Sequence, residues 1–152
     1  MSYRVHQVNW LNSQKELKAI REKVFVCEYH IPKNVEFDTL DNLARHIILK
    51  NEHEAVIATG RLSDDGLMSR VAVLATHRNQ QVYRMVFSFL VELAKKQGIE
   101  KVSFNCILQE TDKFLNAGFE AQGHVFMEAG IPRLRLSCPV SNFNPEPFTL
   151  VH

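Results

Sequence analysis

The residues best suited to chemistry fall in two places. One is Ser69-Arg70-Val71-Ala72-Val73-Leu74-Ala75-Thr76-His77-Arg78, which runs straight into an apolar-periodic segment beginning near Gln80. A strand that feeds a helix start through a short basic loop offers free backbone N–H groups and a positive dipole end to an anion. Arg78 and Arg84 add charge at the same corner. The loop has no glycine to let a phosphate approach closely, so taken alone these residues read first as a plain strand-loop-helix with two solvated arginines. The other place is an acidic stretch, Glu28, Glu36, Asp38 and Asp41, with His46 just beyond it. A mouth of carboxylates suits a cationic amine, and one carboxylate or imidazole is enough to deprotonate it. The same groups also cap turns around a solvated loop, with His46 packing at a strand start. Cys106 is a lone thiol in a buried-type strand and reads as core. The seven histidines contain no His-x-x-x-His pair, so no metal site is expected.

Alternating strands and helices must position these groups. Residues 3–9 alternate as a strand. Ser13-Gln14-Lys15-Glu16 has the form of a capping box and predicts a helix start, with Leu17, Ile20, Val24 and Cys27 on its buried face. Residues 31–43 read as irregular or briefly helical, because Pro32 breaks the helix. Three strands follow, 46–50, 55–62 and 67–74, the last two joined by the turn Asp64-Asp65-Gly66. A second amphipathic helix carries Val82, Val86, Phe89 and Leu93 and stops at Gly98. Residues 101–107 form a buried strand and 110–117 a short helix ended by Gly118. Segments 119–127 and 134–138 would pair across Glu128-Ala129-Gly130-Ile131-Pro132. The order βαβββαβαββ predicts one α/β domain over residues 1–138, a mixed, mostly antiparallel sheet flanked by helices. Residues 139–152, with Pro145 and Pro147, read as a C-terminal arm that could pack on a second copy in a homodimer.

Composition narrows the function classes. The chain has 152 residues, 45% apolar, and such a length buries roughly 70% of its unfolded surface without needing staples. Eighteen basic residues against 17 acidic leave a net charge of +1, which argues against nucleic acid or an anionic membrane as partner. No apolar run approaches the ~18 residues of a membrane span, and the first residues hold no secretory block. Cys27, Cys106 and Cys138 form no CxxC pair, and an odd count suits reduced thiols in the cytoplasm.

Three stretches carry a resemblance. They are Arg21-Glu22-Lys23-Val24-Phe25-Val26-Cys27-Glu28 with Ile31-Pro32 and Glu36-Phe37-Asp38; Thr59-Gly60-Arg61-Leu62 with Arg70-Val71-Ala72-Val73-Leu74; and Gly118-Phe119 with Glu128-Ala129-Gly130-Ile131-Pro132. Together they span most of the chain in order, and the chain resembles the GNAT superfamily of acyl-CoA-dependent N-acyltransferases, in its ElaA-like branch. The resemblance implies a V-shaped opening between the strands containing Val73 and Asn105. The pantetheine arm of acetyl-CoA would pair there with the backbone of Val71 and Val73. The pyrophosphate would sit on the N–H groups of Arg78, Asn79, Gln80, Gln81, Val82, Tyr83 and Arg84.

Two departures from the family pattern are visible. Gln81 and Tyr83 stand where the family's phosphate loop has small residues, which makes the loop degenerate. Phe114 stands where many members carry a tyrosine that protonates the leaving thiolate, so no catalytic residue is assigned. The first reading is an acetyl-CoA-dependent N-acetyltransferase acting on an amine of a small molecule or peptide by direct transfer. The second is a catalytically impaired member that senses a ligand or binds a partner. A distant third, suggested by Arg21, Phe25 and the Asp38-x-x-Asp41 spacing, is similarity to the acyl-homoserine-lactone synthases.

Overall fold

The computed structural model describes residues 2–144. The expected arm is covered only to Asn144, and Pro145 and Pro147 lie outside the described residues. A seven-stranded sheet organises the rest. In chain order its strands are β1 (Arg4–Val8), β2 (Arg45–Lys50), β3 (Val56–Leu62), β4 (Leu67–Val73), β5 (Lys101–Ile107), β6 (Glu120–Glu128) and β7 (Ile131–Pro139). Their spatial order is β1-β2-β3-β4-β5-β7-β6, antiparallel throughout except between β4 and β5.

Helix α1 (Trp10–Arg21) starts three residues before the expected capping box. Asn9 is the actual cap: its side-chain oxygen accepts the Asn12 N–H at 2.8 Å. Leu17, Ile20 and Val24 are buried as expected, but Cys27 is exposed. The reason is a change of pitch. Residues Glu22–Glu28 are π-helical, and the Tyr29 N–H reaches the Val24 carbonyl five residues back, so the wider turn carries Cys27 off the buried line. Residues 31–43 hold only α2 (Lys33–Glu36) and one 3₁₀ turn, Thr39–Asn42, as their composition predicts.

The long helix α3 (Gln80–Lys96) lays Val82, Val86, Phe87, Leu90 and Ala94 against one face of the sheet. Each large apolar side chain so buried contributes roughly 1.5–3 kcal/mol. Helix α1 covers the other face, where Trp10 and Leu17 pack on Ile48. Short α4 (Thr111–Asn116) adds Phe114 to an aromatic cluster with Phe87, Phe104 and Phe119. The β6–β7 turn is tighter than its five-residue motif suggests. Ala129 and Gly130 alone make it, both at positive φ, and Pro132 is already inside β7 opposite Met127. Proline is tolerated there because β5 reaches only to Arg133, leaving no partner for a missing N–H on that side.

Candidate active site

Strands β4 and β5 are each seven residues long, yet only Leu67↔Ser103 and Met68↔Phe104 are paired. Beyond these the strands separate, which is the expected opening between Val73 and Asn105. The departure begins at a bulge. Thr59 pairs with Ala72 but Arg61 with Ser69, so β4 carries one extra residue, and Arg70 sits at φ 52°. Above the bulge, the Leu74 N–H donates to the Ile57 carbonyl at 2.9 Å, so Leu74 and Ala72 bond toward β3. By alternation the backbone groups of Val71 and Val73 turn the other way, into the gap.

The gap opens into a cavity of about 450 Å³. Its apolar lining includes Phe25, Ile31, Val35, Leu40, Leu67, Met68 and Phe104, and its polar lining Arg61, Arg70, Arg133, Arg135, Asn105, Glu110 and Glu128. A site of this size holds a small molecule or the end of a cofactor, with a few polar groups to orient it.

The acidic stretch is not an open carboxylate mouth. Arg21 is fully buried and donates from Nε to Glu36 at 2.8 Å and from Nη1 to Asp41 at 2.7 Å. Arg61 Nη1 bridges Asp38 at 2.8 Å and Asp41 at 3.0 Å. Arg70 donates to the Glu36 carbonyl at 3.0 Å and to Asp38 at 3.1 Å. Three guanidinium groups therefore answer three carboxylates, and the loop that roofs the cavity is tied to β3, β4 and α1. Burial pushes the Glu36 carboxyl above its ordinary value, with Arg70 and Arg21 pulling against it. For Asp38, burial acts upward but the Arg61 hydrogen bond and charge outweigh it, and the carboxyl lies below its ordinary value. Glu28 is also engaged, in a two-pronged pair with Arg78 at 2.7 Å for each bond.

His46 packs its ring 5.4 Å from that of Trp10, and its Nε2 lies 2.9 Å from the Asp41 carbonyl. Burial lowers its pKa below 6.5, so Nε2–H donates from a neutral ring. We expect His46 to titrate below 6.5 in a proton-NMR pH series, whereas a midpoint at or above 6.5 would contradict its enclosure. The linkage sign follows: as pH falls below 6.5 the unfolded chain takes up this proton first, so stability drops until the folded ring is protonated.

At the start of α3, Asn79 is the cap. Its side-chain oxygen accepts the Val82 N–H at 3.0 Å and its carbonyl accepts that of Tyr83 at 3.3 Å. Among the described residues, the Gln80 and Gln81 N–H groups are the first-turn donors that remain. Arg84 is exposed, while Arg78 turns back on the sheet and donates from Nε to the Val73 carbonyl at 2.9 Å. Tyr83 is completely buried in the main core, and burial pushes its phenol well above the ordinary value. Phe114 is likewise core, stacked on Phe104 at 4.9 Å, and is not on the cavity wall. Val71 and Asn105 line the cavity; Val73 lies further up the same edge.

Comparison with known proteins gives this geometry its relatives. No family model matches the sequence. The chain is 30% identical over 125 residues to YjcF of Bacillus subtilis, named as an uncharacterized N-acetyltransferase, covering 80% of this chain and 89% of that one. The chain belongs to the GNAT family of N-acetyltransferases. Its fold is similar to that of an acyl-CoA N-acyltransferase from Pseudomonas aeruginosa, with a TM-score of 0.81 at 21% identity over 90% of this chain and 99% of that one. It is also similar to Escherichia coli ElaA, with a TM-score of 0.77 at 19% identity over 89% and 99% of the two chains.

In this GNAT chain, four arginines that line the cavity had no role assigned from sequence, although Arg61 and Arg70 stand in the quoted stretches. Arg61 and Arg70 bind the acidic loop, and Arg133 and Arg135 line the cavity from β7. The signal for the second pair was present. Arg133-Leu134-Arg135-Leu136 alternates strictly, which puts both guanidinium groups on one face of a strand. Cys106 also lines the cavity, but burial, with Glu110 nearby, pushes its thiol up to about 12, which leaves a poor nucleophile at neutral pH. No helix of the described residues is long and apolar enough to cross a membrane, and no group of three potential metal ligands occurs among them.

Proposed function

We propose that this GNAT member transfers an acyl group, acetyl in particular, from coenzyme A directly to an amine of a small molecule or peptide. The observation that carries the reading is the parting of β4 from β5, which turns the Val71 and Val73 backbone away from β3 into the gap at the head of the cavity, where Arg78 holds the Val73 carbonyl. An extended pantetheine arm fits such an edge as an added strand, placing its thioester beside the Arg70 bulge. The relatives support the donor class, since one is titled as an acyl-CoA N-acyltransferase. For the diphosphate, the chain offers the Gln80 and Gln81 N–H groups at the positive end of α3, flanked by Arg78. Holding amine and thioester together in one cavity is the main source of rate, because the thiolate is a tolerable leaving group. Glu110 and Glu128 are the wall carboxylates outside the Arg21–Arg61–Arg70 network, and either can take up the amine proton directly or through a water. The test is amine-dependent thiol release from acetyl-CoA across a panel of small amines and peptides. Release above the hydrolysis background is expected, and its absence from every acceptor would contradict the assignment.

A specific contact favours a second reading, that of a ligand-sensing member with impaired turnover. Arg78 already occupies the Val73 carbonyl, held there by Glu28, and Gln81 brings a side chain to the phosphate corner. The two readings share one consequence. Glu28→Gln removes the charge that holds Arg78 and frees its guanidinium for the diphosphate. Acetyl-CoA affinity should rise on the order of 3-fold to 10-fold at low salt, as measured by calorimetric titration. An unchanged or weaker affinity would mean that Arg78 takes no part in donor binding.

A further inference from the structure

We propose that the acceptor amine carries a carboxylate, and that Arg135, backed by Arg133, holds it on the β5–β7 wall. The inference rests on the acyl-transfer reading of this cavity and names its acceptor class. The charges that line the cavity pair off in turn. Arg61 and Arg70 are committed to Asp38, and Arg70 also lies 3.3 Å from Glu36. Arg133 lies 3.2 Å from Glu128, and Glu110 lies 2.6 Å from Lys113. Arg135 is left over: among the described residues it has no carboxylate partner. Its one hydrogen bond runs from Nε to Asn105 Oδ1 at 3.0 Å, which orients the fork and leaves both terminal nitrogens for a ligand.

The sheet register puts this charge in a built setting. Asn105 stands directly opposite Arg135, and Ile107 opposite Arg133, so all four side chains share one face beside the gap. Arg133 donates to the Asn105 carbonyl at 3.0 Å, while its Nε is buried without an aligned hydrogen-bond acceptor. A planar two-pronged donor matches a carboxylate better than a point charge would. Phe25, Ile31, Val35 and Leu40, from the segment between α1 and β2, also line the cavity, which suits an apolar side chain on the same molecule. A small apolar amino acid satisfies both sets of residues and fits the volume of about 450 Å³. In the transfer, the acyl carbon–sulfur bond breaks and an acyl carbon–nitrogen bond forms. The thiolate leaves with the electron pair, and the amine gives up its proton to a wall carboxylate or water.

The test compares acceptors that differ only in the carboxylate. Wild-type protein should use leucine over 3-methylbutylamine with at least a roughly 10-fold larger kcat/KM, read by thiol release from acetyl-CoA. In Arg135→Gln that ratio should collapse toward one, chiefly through KM for leucine, and Arg135→Lys should recover part of it. Equal use of the two amines by the wild type, or a preference that survives in Arg135→Gln, overturns the proposal. A donor-free measurement separates this from the acyl-transfer reading. In calorimetric titration, N-acetyl-leucine should bind roughly 10-fold or more tightly than N-(3-methylbutyl)acetamide, and less so in Arg135→Gln. Equal affinities, or no binding of N-acetyl-leucine at millimolar concentration, overturn the proposal even if acetyl-CoA binds well. If acetyl-CoA fails to bind while N-acetyl-leucine shows the expected preference, the donor reading falls and the carboxylate site stands.

Discussion

Replacing Arg21 by methionine is expected to destabilise the protein by about 3–5 kcal/mol, the range for removing one partner from a buried ion pair. The guanidinium satisfies Glu36 and Asp41 simultaneously, and its Nη2 also donates to the Glu36 carbonyl at 2.9 Å. It lies over two aromatic rings, 5.6 Å from the centre of Trp10 and 5.0 Å from that of Phe37. Methionine fills much of that volume but leaves two buried carboxylates facing each other across it. At roughly 2–4 °C per kcal/mol for a domain of this size, the melting temperature at pH 7 should fall by about 6–20 °C. A fall below about 2 °C would show that the network is solvated and contributes little. Lysine cannot reproduce the fork, so Arg21→Lys should recover only a minor part of the loss. Because the same carboxylates bind Arg61 and Arg70, acceptor KM should rise in both variants as the roof of the cavity loosens.

The second large effect is expected at Tyr83. The resemblance puts Tyr83 and Gln81 together where the family's phosphate loop has small residues. The structure separates the two. Tyr83 is enclosed with Val82, Val86 and Phe87, whereas Gln81 is exposed. Tyr83→Ala therefore leaves a cavity under α3 and should destabilise the protein by about 3–5 kcal/mol. Tyr83→Gly adds roughly 1 kcal/mol of helix cost and should be worse. Chemical denaturation measures both, and a loss below about 1 kcal/mol would place the ring outside the core. Gln81→Gly is the variant that examines obstruction without dismantling the fold, since it removes only a side chain on the first turn. If it tightens acetyl-CoA binding, the loop is crowded; if not, the glutamine already points away.

Much of the architecture was legible because hydrophobic period and turn residues agree along the chain. The strand Lys101–Ile107 alternates Val102, Phe104 and Cys106 with polar residues, and Gly66 in the β3–β4 turn, Gly98 after α3 and Gly118 after α4 all take positive φ. Local signals failed where two of them competed. Ser13 and Glu16 form a good capping box, but Asn9 offers an earlier cap, and Trp10 gains burial only if the helix starts there. Cys27 was misplaced because a 3.6-residue period was carried through a π-helical turn. In the site, the parting of β4 and β5 followed from the resemblance and not from any spacing. The neutralised acidic loop could not be read at all. Its charges are close in space but come from residues 21, 36, 38, 41, 61 and 70, and no periodicity joins them. A carboxylate in a loop looks the same in sequence whether it faces solvent or a buried arginine.

The central claim is that the edge of β4 and the start of α3 together receive an acyl-CoA. It is tested most directly by titrating ¹⁵N-labelled protein with acetyl-CoA and following the backbone amide resonances. The largest shifts should fall on Val71, Val73, Gln80 and Gln81, with Asn105 responding across the gap. Shifts gathered on another face, or none at millimolar ligand, would contradict it.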